Sequence, residues 1–416
     1  MRNLKKQISP LILILFFLLL NVTPIHAQID PLHNLDPYIQ QAMKDWQVPG
    51  LAIGIVKDDS LIFAKGYGVR ELGKEAKVDE HTIFAVASNT KAFTAALLGM
   101  LVDEGKINWD DHVVDYMREF QMYDPYITRE INIKDLLTHR SGLPTFGGDH
   151  LWIGSTRSRG DIIARIRYLK PTAPFRTKFQ YQNLMFLVAG QLIPKITGQS
   201  WDDAIKQRIF KPLDMVESVT TMKELKAKKN MTTPHEVVAG KVVPVEYDYT
   251  DNTGPAGAIK SNVVDMAQWM RLNLNGGVFN GKQILSSKVI REMHTIQFPL
   301  PISSFSEEKL ETRFAGYGLG WRIYDYKGRK IISHSGGLSG MISYQVLAPE
   351  ENLGVIVLTN FAPNSLPRIL TYRILDAFLG EPEQDWNVIY LEQKKQSDEK
   401  KKKAEKELQE KRAQKT

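Results

Sequence analysis

Strand-forming segments lie near the two ends of this chain, and helix-forming segments fill its middle. Residues 51–68 have the pattern of a β-hairpin, with two apolar runs around a Lys-Asp-Asp-Ser turn. Further apolar runs with short connections occupy residues 316–360, and connections this short imply antiparallel pairing. From about residue 107 to 272 the pattern is mostly helical. We therefore predict an α+β fold in which both ends build one antiparallel sheet, flanked by helices, with a mostly helical domain inserted.

This pattern also gives the predicted domain boundaries. Residues 28–392 form the folded body, with an α/β part at about 28–106 and 273–392 and a helical part at about 107–272. Residues 393–416 are rich in Lys, Glu and Gln and almost devoid of apolar residues, so we predict a charged tail that is either helical or disordered. The boundary between the α/β part and the helical part is a usual place for a cleft.

Residues 1–27 have the composition of a secretory signal peptide. Three basic residues precede an apolar run over residues 11–20, and Ala27 supplies a small residue before a cut. Because the run is short for a membrane span, we predict cleavage after Ala27, no stable span afterwards, and a periplasmic or secreted location. An uncleaved anchor is the alternative. The chain has no cysteine, which excludes disulfides, thiolate metal sites and a cysteine nucleophile.

The net charge of +7 is concentrated at the termini. Residues 1–27 carry three basic and no acidic side chains, and residues 393–416 carry ten basic and five acidic ones, which leaves about −1 for the body. The basic balance therefore gives no argument for a nucleic-acid partner. The nine histidines are scattered and no H-E-x-x-H motif occurs, so we predict neither a metal site nor a cofactor.

A first chemical motif stands at the start of an apolar helix that ends near Gly105. Ser88 and Lys91 form an S-x-x-K pair, and residues three apart on a helix share a face. A serine hydroxyl needs a neighbour to accept its proton, and a lysine can do so only if its pKa falls through burial or nearby positive charge. The alternative is an N-cap serine beside a solvated lysine.

Two later segments favour the catalytic interpretation. Tyr181 and Asn183 form a Y-x-N motif just before an apolar helix. A phenol near a lysine ammonium can ionise more easily and move a proton, and an amide can hold the lysine or a substrate N–H. The alternative is a core tyrosine beside an N-cap asparagine.

The other segment reads His334-Ser335-Gly336-Gly337 and stands at the predicted end of a strand. Its glycines would let the backbone approach a substrate closely, and a following N–H could help form an oxyanion hole. The alternative is a turn whose histidine has no catalytic or binding role.

In order and spacing, the three motifs resemble those of the serine β-lactamase and penicillin-binding protein superfamily. The spacings look like its class C branch, which also contains family VIII carboxylesterases, D-aminopeptidases and DD-carboxypeptidase-like proteins. Residues 136–144 are similar to the L-L-T-H-x-S-G-L-P signature of that branch, and residues 254–261 and 316–321 look like its recurrent segments. The resemblance runs from about Leu35 to Leu379 and implies that the folded body is a serine hydrolase domain.

The resemblance also implies a role for each motif residue. Ser88 would attack an ester or amide carbonyl, while Lys91 and Tyr181 would accept its proton and later protonate the leaving group. Asn183 would position Lys91 and the substrate. The N–H groups of Ser88 and Gly337 would bind the oxyanion, and water would then hydrolyse the acyl-enzyme.

One departure from the family pattern bears on the substrate. Lactamases of this family usually have Lys-Thr-Gly on the strand, whereas His334 and Ser335 stand there in this chain. A histidine is mostly neutral at pH 7 and anchors a carboxylate weakly. We therefore predict an esterase or a peptidase for D-amino-acid or peptidoglycan-type peptides, acting on a small-molecule or peptide substrate. A β-lactamase and a non-catalytic penicillin-binding or sensing protein are the alternatives, and the sequence makes no prediction of the oligomeric state.

Overall fold

The computed structural model describes residues 31–413. The predicted signal peptide and its cleavage site lie outside the described residues. The helices are α1 (Leu35–Asp45), α2 (Thr90–Asp103), α3 (Val113–Tyr116), α4 (Pro125–Glu130), α5 (Ile133–Leu136), α6 (Arg159–Arg165), α7 (Asn183–Thr197), α8 (Trp201–Ile205), α9 (Met222–Lys226), α10 (Gly254–Gly257), α11 (Val263–Leu274), α12 (Ser287–Met293), α13 (Ser304–Lys309), α14 (Leu366–Leu379) and α15 (Trp386–Ala413).

The strands include several two-residue pairs as well as the long members of the main sheet. They are β1 (Gly50–Lys57), β2 (Ser60–Gly68), β3 (Phe84–Ala85), β4 (His235–Val238), β5 (Lys241–Pro244), β6 (Lys260–Ser261), β7 (Val278–Phe279), β8 (Lys282–Gln283), β9 (Phe298–Pro299), β10 (Ala315–Tyr317), β11 (Arg322–Tyr326), β12 (Arg329–Leu338), β13 (Met341–Ala348) and β14 (Leu353–Thr359).

The main sheet joins the two ends of the chain, as predicted. Its eight strands run in the order β2-β1-β14-β13-β12-β11-β10-β9, and every pairing is antiparallel. Strand β1 from the N-terminal hairpin pairs with β14, more than 290 residues later, through a register that places Ile53 opposite Val357. The predicted α+β fold is therefore confirmed.

Helices cover both faces of this sheet, which explains why its central strands are apolar at almost every position. In β1, Leu51 and Ile53 belong to the hydrophobic core on one face, while Ala52 and Val56 belong to the core on the other. The first face packs under α1, α14 and α15, and the second under α2 and α11. Successive strand residues point to opposite faces, so only a doubly covered sheet tolerates such a continuous apolar run.

Helix α11 shows how closely the second face is covered. A Cβ added at Gly54 of β1 would lie 3.1 Å from the Val263 side chain, and one at Gly354 of β14 would lie 3.1 Å from the Met270 sulfur. These glycines therefore let the helix approach the strand backbones. The sequence pattern had grouped most of this helix with the helical part of the chain, although it packs on the sheet.

Two segments differ from their predicted form. The sequence pattern of residues 218–249 predicts an irregular or weakly β segment, whereas the structure has helix α9 and the hairpin of β4 and β5 there. The strand that carries His334 continues through Leu338, so the His-Ser-Gly-Gly segment lies inside β12 and not at its end. The prediction was wrong there because glycines were taken as the end of the strand, whereas these glycines remain paired with β13.

The last helix joins the charged tail to the folded body. Helix α15 begins at Trp386 and reaches Ala413, so the described part of the tail is helical. Buried Asp376 of α14 accepts hydrogen bonds from the Trp386 indole at 2.6 Å and from the Tyr326 hydroxyl. It also forms an ion pair of 3.0 Å with Lys327, whose side chain is 4% exposed.

We expect Asp376→Ala to lower the free energy of unfolding by about 3–5 kcal/mol, because it leaves the buried Lys327 ammonium without its closest partner. Glu381→Gln is the matched control. Glu381 lies 3.5 Å from the same ammonium but is itself 30% exposed, so its loss should cost less than about 1 kcal/mol. Urea unfolding followed by circular dichroism measures both, and equal effects would contradict this assignment.

Candidate active site

Ser88 lies in a single 3₁₀ turn, Ala87–Asn89, that leads directly into α2. Ala87 has a φ of 49°, which an L-residue adopts only when its surroundings impose it. Hydrogen bonds to the sheet supply that constraint. The Asn89 amide donates to Ser343 Oγ at 2.8 Å, and the Ser343 hydroxyl donates to the Val86 carbonyl at 2.8 Å.

Lys91 follows one turn later, and its side chain is fully buried. Its Nζ lies 3.1 Å from Ser88 Oγ, 2.8 Å from Asn183 Oδ1 and 2.8 Å from the Ala256 carbonyl oxygen. Burial lowers the pKa of Lys91 to about 7, although the charge of Asp149 raises it in part. The ammonium and the neutral amine are therefore both populated near neutral pH.

The three oxygens around Nζ fix where its lone pair points. Asn183 Oδ1 and the Ala256 carbonyl can only accept hydrogen bonds, whereas the Ser88 hydroxyl can also donate one. A neutral amine has two N–H groups and one lone pair. When the two acceptors take both N–H groups, the lone pair is left for the Ser88 O–H. The neutral form of Lys91 is thus oriented to receive the serine proton.

The Asp149 carboxylate holds the Asn183 side chain in this orientation. Its Nδ2 donates to Asp149 Oδ2 at 2.8 Å, so Oδ1 turns towards Lys91. Burial raises the pKa of Asp149. The sequence did not identify Asp149 as a site residue, because it comes from a loop whose conformation gives no periodic signal.

The Tyr181 ring lies beside the Lys91 amine. Its ring centroid lies 4.9 Å from Lys91 Nζ, and its ring stacks on that of His139 at 4.1 Å. Burial raises the pKa of Tyr181, although a hydrogen bond with Ser88 lowers it in part. The easier ionisation expected from the sequence is therefore wrong: the phenol keeps its proton.

His139 positions the loop that carries Tyr181. Its Nδ1 accepts the backbone N–H of Gln182 at 2.9 Å, and its carbonyl accepts the N–H of Gln180 at 2.8 Å. Burial holds the pKa of His139 well below its usual value, so the ring is neutral and acts as a rigid support. It belongs to the segment 136–144 that the sequence singled out.

His334 is also neutral, and its tautomer follows from its partners. Nδ1 lies 2.7 Å from the Ser335 carbonyl oxygen, which can only accept, so Nδ1 carries the proton. Nε2 then accepts from the Tyr317 hydroxyl at 2.9 Å. Burial, with a smaller effect of Lys91, lowers the pKa of His334 to about 3. The side chain therefore offers no positive charge to a carboxylate.

The two glycines of the segment have different surroundings. A Cβ at Gly336 would lie 2.2 Å from the Val86 carbonyl oxygen and 2.4 Å from Ser343 Oγ, so only glycine lets β12 approach the Ser88 turn. Gly337 is exposed and lines the cavity with Ser335. The structure thus brings the predicted residues together, but Gly336 packs behind the cavity and does not line it.

These groups open into a cavity of about 610 Å³. Two long loops form much of its wall, one contributing Phe146, Asp149, Trp152 and Ile153 and the other Asp248, Thr250 and Thr253. Ser88, Tyr181, Asn183 and His334 lie in its floor and side. A cleft of this size with a nucleophile and a lowered lysine pKa has the parts needed for acyl transfer.

Comparison with known proteins agrees with this geometry. An unguisins hydrolase of Aspergillus violaceofuscus is 30% identical over 85% of this chain, and the match spans 66% of that protein, slightly under two thirds of its length. Penicillin-binding protein 4 of Amycolatopsis lactamdurans is 29% identical over 75% of this chain and 81% of its own.

A solved structure supports the fold. The octameric penicillin-binding protein homologue from Pyrococcus abyssi superposes with a TM-score of 0.76 at 28% identity, covering 86% of this chain and 80% of that chain. The family model described as Beta-lactamase matches residues 35–378, most of the chain. The resemblance seen in the sequence is therefore confirmed, and this protein belongs to the β-lactamase family, within the serine β-lactamase and penicillin-binding protein superfamily, whose members support serine hydrolase or acyl-transferase chemistry.

Proposed function

We propose that this protein is a secreted or periplasmic serine hydrolase that cleaves an ester or amide bond through an acyl-enzyme on Ser88. One observation carries the proposal: Nζ of buried Lys91 lies 3.1 Å from Ser88 Oγ, with two further acceptors at 2.8 Å. This arrangement gives a general base with a pKa near the working pH.

In the acylation step, Ser88 Oγ attacks the substrate carbonyl carbon while its proton passes to neutral Lys91. The carbonyl oxygen becomes an oxyanion, for which the backbone N–H groups of Ser88 and Gly337 are the candidate donors. Both residues line the cavity. The strand contact at Gly336 holds the two donors near each other.

Breakdown of this intermediate needs a proton for the leaving group. Lys91 now carries the proton, and Tyr181, which lines the cavity beside this amine, retains its own. Tyr181 can therefore donate to the leaving atom and be reprotonated by Lys91. In deacylation the same pair accepts a proton from the water that attacks the acyl carbonyl, and it returns this proton to Ser88 Oγ as the bond between the acyl carbon and Oγ breaks.

The surroundings of His334 favour some acyl donors over others. No lysine or arginine lines the described cavity, and neutral His334 cannot replace one. A substrate carboxylate would therefore enter without a cationic partner. This favours an esterase or a peptidase acting on D-amino-acid or peptidoglycan-type substrates over a β-lactamase, and the hydrolase and penicillin-binding names of the relatives are compatible with it.

A non-catalytic penicillin-binding or sensing protein is the other candidate. Such a protein would acylate and stall, whereas Lys91 and Tyr181 together supply the groups that deacylation needs. The proposed location depends on the composition of residues 1–27. Within residues 31–413, no helix is both long enough and apolar enough to cross a bilayer.

The first test is turnover of p-nitrophenyl butyrate and of D-alanine p-nitroanilide. We expect steady hydrolysis by the wild type and a loss of at least about a thousandfold in Ser88→Ala, which removes the nucleophile. Ser287→Ala removes an exposed hydroxyl outside the cavity and should keep most of the rate. A single stoichiometric burst with an acyl group left on Ser88, detected by mass spectrometry, would instead indicate the sensing protein.

The pH dependence of kcat/KM tests whether Lys91 is the general base. Only neutral Lys91 accepts the Ser88 proton, so kcat/KM should rise with pH through a midpoint near 7 and level off above it. Because the Asp149 charge raises the pKa of Lys91, Asp149→Asn should move the midpoint to lower pH. Exposed Asp161→Asn is the control and should not move it. A profile that is flat between pH 5 and 9 would contradict the role of Lys91.

A third experiment tests the effect of charge at His334 in β12. We expect His334→Lys to raise kcat/KM for an anionic chromogenic cephalosporin about tenfold relative to a neutral ester, because it adds a cation where the carboxylate would bind. His334→Gln, which changes the side chain without adding charge, should not produce this change. An equal response of the two variants would show that charge at this position does not control lactam hydrolysis.

A further inference from the structure

The described side chains that line the cavity include acidic groups but no cationic ones. Among the described residues that line it, only Asp149 and Asp248 are acidic, and none carries an amine or a guanidinium group. Asp149 lies next to the catalytic group, is buried and accepts from Asn183. Asp248 is half-buried and lines the cavity from the loop that leads to Thr250.

One carboxylate oxygen of Asp248 accepts a hydrogen bond within the protein, and the other is available to a ligand. Its Oδ2 accepts the backbone N–H of Ser339 at 2.8 Å, in the turn between β12 and β13. In the described part of the chain, Oδ1 has no hydrogen-bond partner and the carboxylate forms no ion pair. Lys260, which donates to the neighbouring Thr250, is fully buried and does not line the cavity.

The contact of Asp248 with Ser339, just past the end of β12, indicates which part of the substrate it meets. The proton-transfer groups stand towards His334, whose ring centroid is 6.4 Å from that of Tyr181. A leaving group must reach the proton donor, so it lies at the His334 end. The acyl group then extends the other way, past Gly337 towards Ser339, about 7 Å further along a strand.

We propose that Asp248 selects acyl groups that carry a protonated amine, so that the preferred donors are esters or amides of amino acids with a free amino group. The open Oδ1 supplies a charge-assisted hydrogen bond to that ammonium. The carboxylate is a specificity determinant and takes no part in proton transfer. The inference rests on the proposed function of the same cavity.

The test compares two anilides that differ only in the amine. Alanine p-nitroanilide, in both D and L forms, is mostly protonated at pH 7, and propionyl p-nitroanilide is its neutral counterpart. We expect the wild type to prefer an ammonium substrate in kcat/KM, and Asp248→Asn to lower that preference about tenfold, mainly through KM. The asparagine can still accept the Ser339 N–H, so the turn is retained.

Glu236→Gln is the matched control. Glu236 accepts the N–H of Gly340 at 3.1 Å, in the same turn, but does not line the cavity. Its neutralisation removes a similar charge nearby and should leave the preference as it is. An equal loss in both variants, or none in Asp248→Asn, would overturn the proposal.

Hydrolysis of p-nitrophenyl butyrate separates this proposal from the function it rests on. Ser88-dependent ester turnover with no preference for the amine leaves the hydrolase standing and overturns the role of Asp248. Absence of Ser88-dependent turnover of every substrate overturns both. A wild-type preference that falls only in Asp248→Asn supports the inference.

Discussion

The chemistry of this protein depends on the burial of one amine. Placing Lys91 out of water makes its charged form costly, and the two acceptors that remain, Asn183 Oδ1 and the Ala256 carbonyl, match the two N–H groups of the neutral form. The same burial raises the pKa of Tyr181 and lowers that of His334. One physical condition therefore sets three protonation states, which together give a base, a proton donor and an uncharged strand residue.

The helical part of the chain supplies both acceptors of this amine, Asn183 Oδ1 from α7 and one backbone oxygen from α10. The Ala256 carbonyl belongs to α10, which is held between α2 and α7. The Thr94 hydroxyl donates to the Pro255 carbonyl at 2.7 Å, and a Cβ added at Gly190 would lie 2.1 Å from the Pro255 ring. Because α10 is fixed on both sides, its carbonyl cannot move away from Lys91. The helical segments between the two ends of the sheet thus complete the amine's surroundings, which the sheet alone does not supply.

The sequence predicted those features that depend on short spacing or on periodicity. The hairpin and the S-x-x-K pair follow from patterns within a few residues, and the joining of both ends into one sheet follows from where the strands lie. What could not be predicted comes from long-range contacts. The orientation of Asn183 depends on Asp149 in an aperiodic loop, and the tautomer of His334 depends on Tyr317 in another strand. The length of β12 was missed because Gly336 serves a close approach to Val86 and not a turn.

A second buried lysine shows that burial alone does not make a base. Lys260 is as inaccessible as Lys91, and its pKa is lowered to about 8. Carboxylates near it, of which Asp251 has the largest effect, raise its pKa in part and favour the ammonium. Its Nζ donates to the Thr250 hydroxyl at 2.9 Å. The 3₁₀ turn that follows this threonine, Asp251–Thr253, leads only into the four-residue helix α10. The difference between the two lysines thus lies in what surrounds the amine: two fixed acceptors and a serine in one case, a threonine and several carboxylates in the other.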